Sequence, residues 1–131
     1  MTDKADYKRI NPLYRFVQVY RNRGRKMTKG VKHDGGKARY DLLPPDALDA
    51  VTQVFTYGAA KYADRNWEGG MAWGRLFAAM MRHCWAFWRG EDADHESGLP
   101  HLAHAGACVL MLLSYMQRGI GGDDRKPRPG A

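Results

Sequence analysis

Three segments of this chain repeat apolar side chains at the three-and-four spacing of an α-helix, and no segment of useful length alternates them at the two-residue period of a strand. Leu48, Val51, Phe55, Ala59 and Tyr62 form the first series. Leu76, Phe77, Met80, Cys84, Phe87 and Trp88 form the second, and Leu102, Val109, Leu110, Leu113 and Met116 the third. Pro44-Pro45-Asp46 starts the first helix, because proline's fixed φ and missing N–H suit a first helical turn. The series predict helices from Pro44 to about Tyr62, Trp73 to about Arg89 and Leu99 to about Gly119. Ser97 is the expected N-cap of the last, Pro100 lies in its first turn, and Gly119 ends it. Asn11-Pro12 followed by Leu13, Phe16, Val17 and Tyr20 predicts a shorter helix from about Pro12 to Arg21. The expected fold is therefore all-α, a small helical bundle of three long helices plus a short N-terminal one. Ala105-Gly106-Ala107 would let the third helix approach a neighbour closely. Apolar faces this wide predict a homo-oligomer, a dimer or a tetramer.

Hydrophobic residues make up 44% and charged residues 27% of 131 residues, which suits one core. Residues 1–28 read as the N-terminal helix and a basic segment, 29–119 as the helical domain, and 120–131, rich in Gly, Pro and charge, as a disordered tail. The longest apolar run, Ala105 to Tyr115, is too short to span a bilayer. Met1 to Lys8 is charged, with no hydrophobic signal region behind it. The expectation is a cytoplasmic protein without membrane contact, in which Cys84 and Cys108 stay reduced and buried.

The net charge of +7 is unevenly distributed: basic residues crowd the stretch from Arg9 to Arg39, while four of the 14 acidic ones fall between positions 91 and 96. Carboxylates that close repel one another unless a cation compensates. Glu91, Asp94 and Glu96 stand in this acidic turn, and His101 and His104, three apart, share a face of the following helix. His83 lies about two turns before Glu91 and can share its side of the preceding helix. Oxygen ligands with open positions suit Mg²⁺, and imidazole suits Mn²⁺, Zn²⁺ or Fe. The expected metal ligands are Glu91, Asp94, Glu96, His101 and His104, and the expected catalytic residues are Glu91, Asp94 and His83. The plainer reading is a solvated acidic turn whose carboxylates balance Arg82 and Arg89.

Lys32, Lys37 and Arg39 surround the Gly35-Gly36 pair, where backbone amides can approach phosphate oxygens. With Arg82 they are the candidate phosphate-binding residues, although the spacing is not that of a P-loop and a solvated linker is the plainer reading. Asn66 and Trp67 could contact a base by hydrogen bond and stacking, or Trp67 could plug the end of the bundle.

These motifs occur together in order. Lys32-His33-Asp34 through Gly36-Lys37, Arg39, Asp41-Leu42-Leu43-Pro44, Tyr57-Gly58-Ala59 with Lys61-Tyr62, Asn66-Trp67, Arg82-His83, Trp88-Arg89-Gly90-Glu91-Asp92, Asp94, Glu96-Ser97-Gly98 and His101-Leu102-Ala103-His104 resemble the phage dATP/dGTP diphosphohydrolases. The resemblance covers roughly Lys29 to Met116 and makes 29–119 a nucleotide pyrophosphohydrolase domain. That family looks like a branch of the all-α MazG/HisE pyrophosphohydrolases, which are helical, oligomeric and Mg²⁺-dependent.

The resemblance implies hydrolysis of dGTP or dATP to a monophosphate and pyrophosphate, with Mg²⁺ or Mn²⁺ as cofactor, in the supply of viral 2-aminoadenine nucleotides. The chain departs from the MazG pattern of E-x-x-E paired with E-x-x-D. Glutamate occurs only at Glu68, Glu91 and Glu96, and the nearest equivalent of the missing motif is Asp46-x-x-Asp49. Two other functions fit parts of the sequence. A basic nucleic-acid-binding module would leave the acidic turn without a role. An HD-type phosphohydrolase built on His33-Asp34 would put that dyad in a glycine-rich loop instead of on a helix.

Overall fold

The computed structural model describes residues 29–127, 129 and 130, and the expected helix from Pro12 to Arg21 lies outside them. The chain divides into two compact units, Met1–Ala38 and Arg39–Ala131. In the first, Lys37 N–H donates to Asp34 C=O at 3.1 Å and closes a turn through Gly35-Gly36. The second unit is helical. A 3₁₀ turn at Tyr40–Leu42 leads into helix α1 (Pro45–Lys61), a second 3₁₀ turn spans Asn66–Gly69, and helices α2 (Trp73–Trp88) and α3 (His101–Arg118) follow. The described residues hold isolated bridges at Ala72–Gly122 and Ala93–Pro100 but no strand.

Pro45 occupies the first turn of α1, with Asp46 beside it and Lys61 in the last turn, each charge opposing the local end of the helix dipole. At the end of α2, Gly90 takes φ 95°, and Glu91 N–H turns back to Ala86 C=O at 3.0 Å. Gly119 closes α3 with φ 65°. The expected N-cap of α3 is corrected: Pro100 occupies that position without a side-chain cap, and Ser97 bonds elsewhere.

Helix α3 packs against both α2 and α1. Small residues permit this. A Cβ on Gly106 would stand 3.1 Å from Val51 Cγ2 on α1, and Ala103, Ala105 and Ala107 are buried. The expected core stripe is corrected in consequence. Leu102, Val109, Leu110, Leu113 and Met116 are exposed, as are Phe77, Phe87 and Trp88 of α2, while the core is Leu76, Ala86, the alanines of α3, Cys108 and Tyr115. A helix wedged between two neighbours needs its small residues inside, so its large ones face outward. Both cysteines are free thiols, Cys108 buried and Cys84 half-buried.

The far end of the bundle is fastened by Tyr115, which is fully buried and donates its hydroxyl to Trp67 C=O at 2.5 Å. The Trp67 ring lies against Tyr115 and Phe55, with the Arg118 guanidinium over it at 5.6 Å. The segment after α3 departs from the expected disorder. Ile120 C=O accepts from Trp73 Nε1 at 2.9 Å, Gly122 C=O accepts from Trp73 N–H at 2.9 Å, and Asp124 accepts from Gly74 N–H at 2.8 Å. Gly121 makes this return possible. Its φ is 74°, and a Cβ there would fall 2.3 Å from Met71 C=O and 3.2 Å from the Tyr115 ring.

Gly121→Ala is expected to cost roughly 2–3 kcal/mol and to lower the melting temperature on the order of 10 °C. Gly122→Ala, where nothing lies within 4 Å of the new Cβ, should melt within a few degrees of the parent. Thermal denaturation followed by circular dichroism distinguishes this from a free tail, for which the two variants would behave alike.

Candidate metal centre

His83 lies in the second half of α2, and His101 and His104 project from the first turn of α3. The segment between the helices is folded tightly enough to bring a carboxylate to them. His101 N–H donates to Asp92 C=O at 2.9 Å, Asp94 N–H to Leu99 C=O at 2.9 Å, and Gly98 N–H to Asp94 C=O at 2.8 Å. Candidate ligand atoms of His83, Asp94 and His101 consequently lie within 4.8 Å of one another. The two Nδ1 atoms of His83 and His101 face each other at 2.9 Å. The His104 ring stacks on His83, with centroids 4.5 Å apart and planes 10° from parallel.

Asp94 Oδ2 accepts from both Ser97 N–H and Ser97 Oγ–H at 2.9 Å. Ser97 Oγ also stands 2.7 Å from His104 Nε2. A hydroxyl has one proton, and here it goes to the carboxylate, so the proton of the second contact must come from His104 Nε2. This fixes the neutral His104 as the Nε2–H tautomer and leaves Nδ1 as its acceptor. Burial holds His104 and His83 below the ordinary imidazole pKa, and the neighbouring histidines add to the effect. Burial acts to raise the Asp94 carboxyl. The two Ser97 hydrogen bonds and the attraction of His104 and His83 outweigh it, leaving Asp94 below its usual range.

His101 is buried at 5% exposure, and its Nε2 has no hydrogen-bond partner. The facing group is Glu91, with Oε2 3.7 Å away. Glu96 lies to one side. It pairs with Lys61 at the end of α1, and Lys61 together with the nearby Tyr57 hydroxyl holds its carboxyl below the usual value. Tyr57 also meets the His104 ring edge-on, with centroids 6.4 Å apart.

Of the five residues expected as ligands, Asp94 and His101 therefore converge with His83. Glu91 and His104 border the group, and Glu96 is held by Lys61. Arg39 forms a two-point pair with Asp41 at 2.6–2.7 Å, Arg82 is exposed on α2, and Lys32 and Lys37 belong to the first unit. Trp67 is engaged in the packing around Tyr115, which lies fourteen residues beyond His101, about 21 Å along α3. The ring expected to stack on a base is thus part of the fold, while Asn66 beside it is exposed. Sequence reasoning missed Ser97 as the bridge between Asp94 and His104. Its signal was the three-residue offset from an aspartate, the same Asx geometry that caps helices.

Residues 27–125 match the family described as dATP/dGTP diphosphohydrolase, N-terminal. A relative from Salmonella phage PMBT28, itself described as a dATP/dGTP diphosphohydrolase, is 34% identical over 97 residues, which is 74% of this chain and 33% of the relative. The chain therefore spans about a third of that relative's length. No solved structure matches. The family match covers most of the chain and includes every residue of the histidine–aspartate cluster, and on that ground the chain belongs to the family of dATP/dGTP diphosphohydrolase N-terminal domains.

Proposed function

We propose that this chain carries a nucleotide-hydrolysing centre that splits a purine deoxynucleoside triphosphate, dGTP or dATP, into its monophosphate and pyrophosphate. The convergence of His83, Asp94 and His101 in a chain of this family is the observation that carries the proposal. Water adds to the α phosphorus, the bond from that phosphorus to the oxygen bridging to the β phosphate breaks, and pyrophosphate departs with the electron pair. A divalent cation bound by His83, Asp94 and His101 would polarise the phosphates and the attacking water. The sequence reading gives Mg²⁺, with Mn²⁺ as the other candidate. His104 is the proposed acceptor of the water's proton, because the Asp94–Ser97 chain holds its Nε2 as a donor and leaves Nδ1 free. Arg82, adjacent to His83 and exposed, is proposed to bind the outer phosphates. In a phage, cleavage of dGTP would supply dGMP for 2-aminoadenine nucleotides, a role supported by the sequence resemblance.

Self-association belongs to the same proposal. Leu102, Val109, Leu113 and Met116 form one exposed stripe of α3, next to Trp85 and Trp88 of α2. Met81, Cys84, Trp85, Phe87, Trp88 and Leu102 enclose a groove of about 350 Å³ where the two helices meet. Nine large apolar side chains of α2 and α3, exposed by 39% to 77%, amount to roughly 900 Å² per copy, close to the ~800 Å² a stable interface buries on each partner. A second copy presenting the same stripe is the proposed occupant. No described helix is long and apolar enough to cross a membrane.

Two measurements check these readings. Purified chain incubated with dGTP or dATP and a divalent cation should release nucleoside monophosphate and pyrophosphate, and Asp94→Asn should lower kcat/KM at least ~100-fold. Orthophosphate as the direct product, or no turnover with either nucleotide, contradicts the proposal. In light scattering coupled to size-exclusion chromatography, the parent should run as an oligomer and Leu113→Glu with Met116→Glu as a monomer of unchanged helicity. A parent that is monomeric at high concentration contradicts the interface.

A further inference from the structure

We infer that the His83–Asp94–His101 centre is a nitrogen-preferring site, built for a borderline divalent metal such as Mn²⁺, Fe²⁺, Co²⁺ or Zn²⁺ rather than for Mg²⁺, and that Glu91 positions His101 instead of ligating. The inference rests on the proposed cation-binding role of this cluster and refines it.

The donor set comes first. Two of the three converging groups are imidazoles, whereas Mg²⁺ takes oxygen ligands and keeps most of its water. Imidazole with one carboxylate suits the first-row transition metals and zinc. The distance agrees. Two ring nitrogens each about 2.1 Å from one ion stand roughly 3 Å apart at the roughly 90° angle of neighbouring octahedral positions, and the Nδ1 atoms of His83 and His101 are separated by 2.9 Å.

The buried outer nitrogen of His101 is the second observation. Its Nε2 has no hydrogen-bond partner, and the group it faces is the Glu91 carboxylate, with Oε2 3.7 Å away. With Nδ1 on a cation, His101 carries its proton on Nε2, and that N–H faces the carboxylate. A carboxylate accepting the outer N–H of a ligating histidine fixes its tautomer and raises its basicity. The acidic turn thus contributes one ligand, Asp94, and one positioning carboxylate, Glu91.

The test is direct metal binding by the full chain without nucleotide. Metal-free protein is titrated with Co²⁺, followed by its visible absorption bands and by calorimetry, and with Mn²⁺ followed by electron paramagnetic resonance. The expected result is one equivalent bound per chain, retained in a 100-fold excess of Mg²⁺. His83→Ala and Asp94→Asn should abolish the absorption bands. Glu91→Gln should weaken binding about 10- to 100-fold while preserving the band shape, and His95→Ala in the same turn should bind as the parent does. Circular dichroism confirms that each variant is folded. His83→Asn and Glu91→Ala replace any variant that is not.

Displacement of Co²⁺ by equimolar Mg²⁺, binding indifferent to His83, or band shapes altered by Glu91→Gln as by loss of a ligand would overturn the inference. The outcome is separable from that of the proposed reaction. Tight Co²⁺ binding with no nucleotide turnover sinks the reaction and leaves the metal assignment standing. Turnover with Mg²⁺ and no Co²⁺ site does the reverse.

Discussion

The small-residue face of α3 is the constraint on which the rest of the molecule depends. Ala103, Ala105, Gly106 and Ala107 let this helix lie close to both neighbours, with Val51 of α1 standing where a Gly106 side chain would go. Close approach of α3 to α2 is what brings His101 against His83, since an imidazole reaches only a few ångströms from its backbone. A larger side chain on that seam would separate the two rings without touching either. The same geometry turns the bulky leucines, valine and methionine of α3 outward. The catalytic proposal and the self-association proposal therefore have one physical origin.

The turn between α2 and α3 supplies what the helices cannot. Its backbone hydrogen bonds, from His101 N–H to Asp92 and from Asp94 N–H to Leu99, fold the chain back so that a carboxylate meets the two imidazoles. Ser97 then ties Asp94 to His104. The carboxylates of the turn divide by environment. Asp94 is held inward, Glu91 faces a buried imidazole, and Glu96 is taken by Lys61 and Tyr57. One cluster of negative charge thus resolves into three different roles.

Much of this was legible in the sequence. The three helical series fell within two residues of α1, α2 and α3 at every boundary, because proline starts and glycine stops are local signals. That His83, Asp94 and His101 could meet in one neighbourhood was also visible from residue type and spacing. Which apolar residues were interior was not. Periodicity shows that a helix has a face, and it does not say whether the large or the small residues of a two-sided helix turn inward. The choice among Glu91, Asp94 and Glu96 was likewise hidden, since it depends on Lys61 and Tyr57, some 35 residues earlier in the chain. Trp67 was ambiguous for a similar reason: its packing partner Tyr115 comes from the other end of the domain.

The most direct test of the account is the position of a bound metal. Crystals of the full chain grown with Mn²⁺ and measured at the manganese absorption edge should show one anomalous peak per chain, within coordination distance of His83 Nδ1, His101 Nδ1 and an Asp94 oxygen. A peak on Glu91 and Glu96 away from the histidines, or none at full Mn²⁺ saturation, would contradict it.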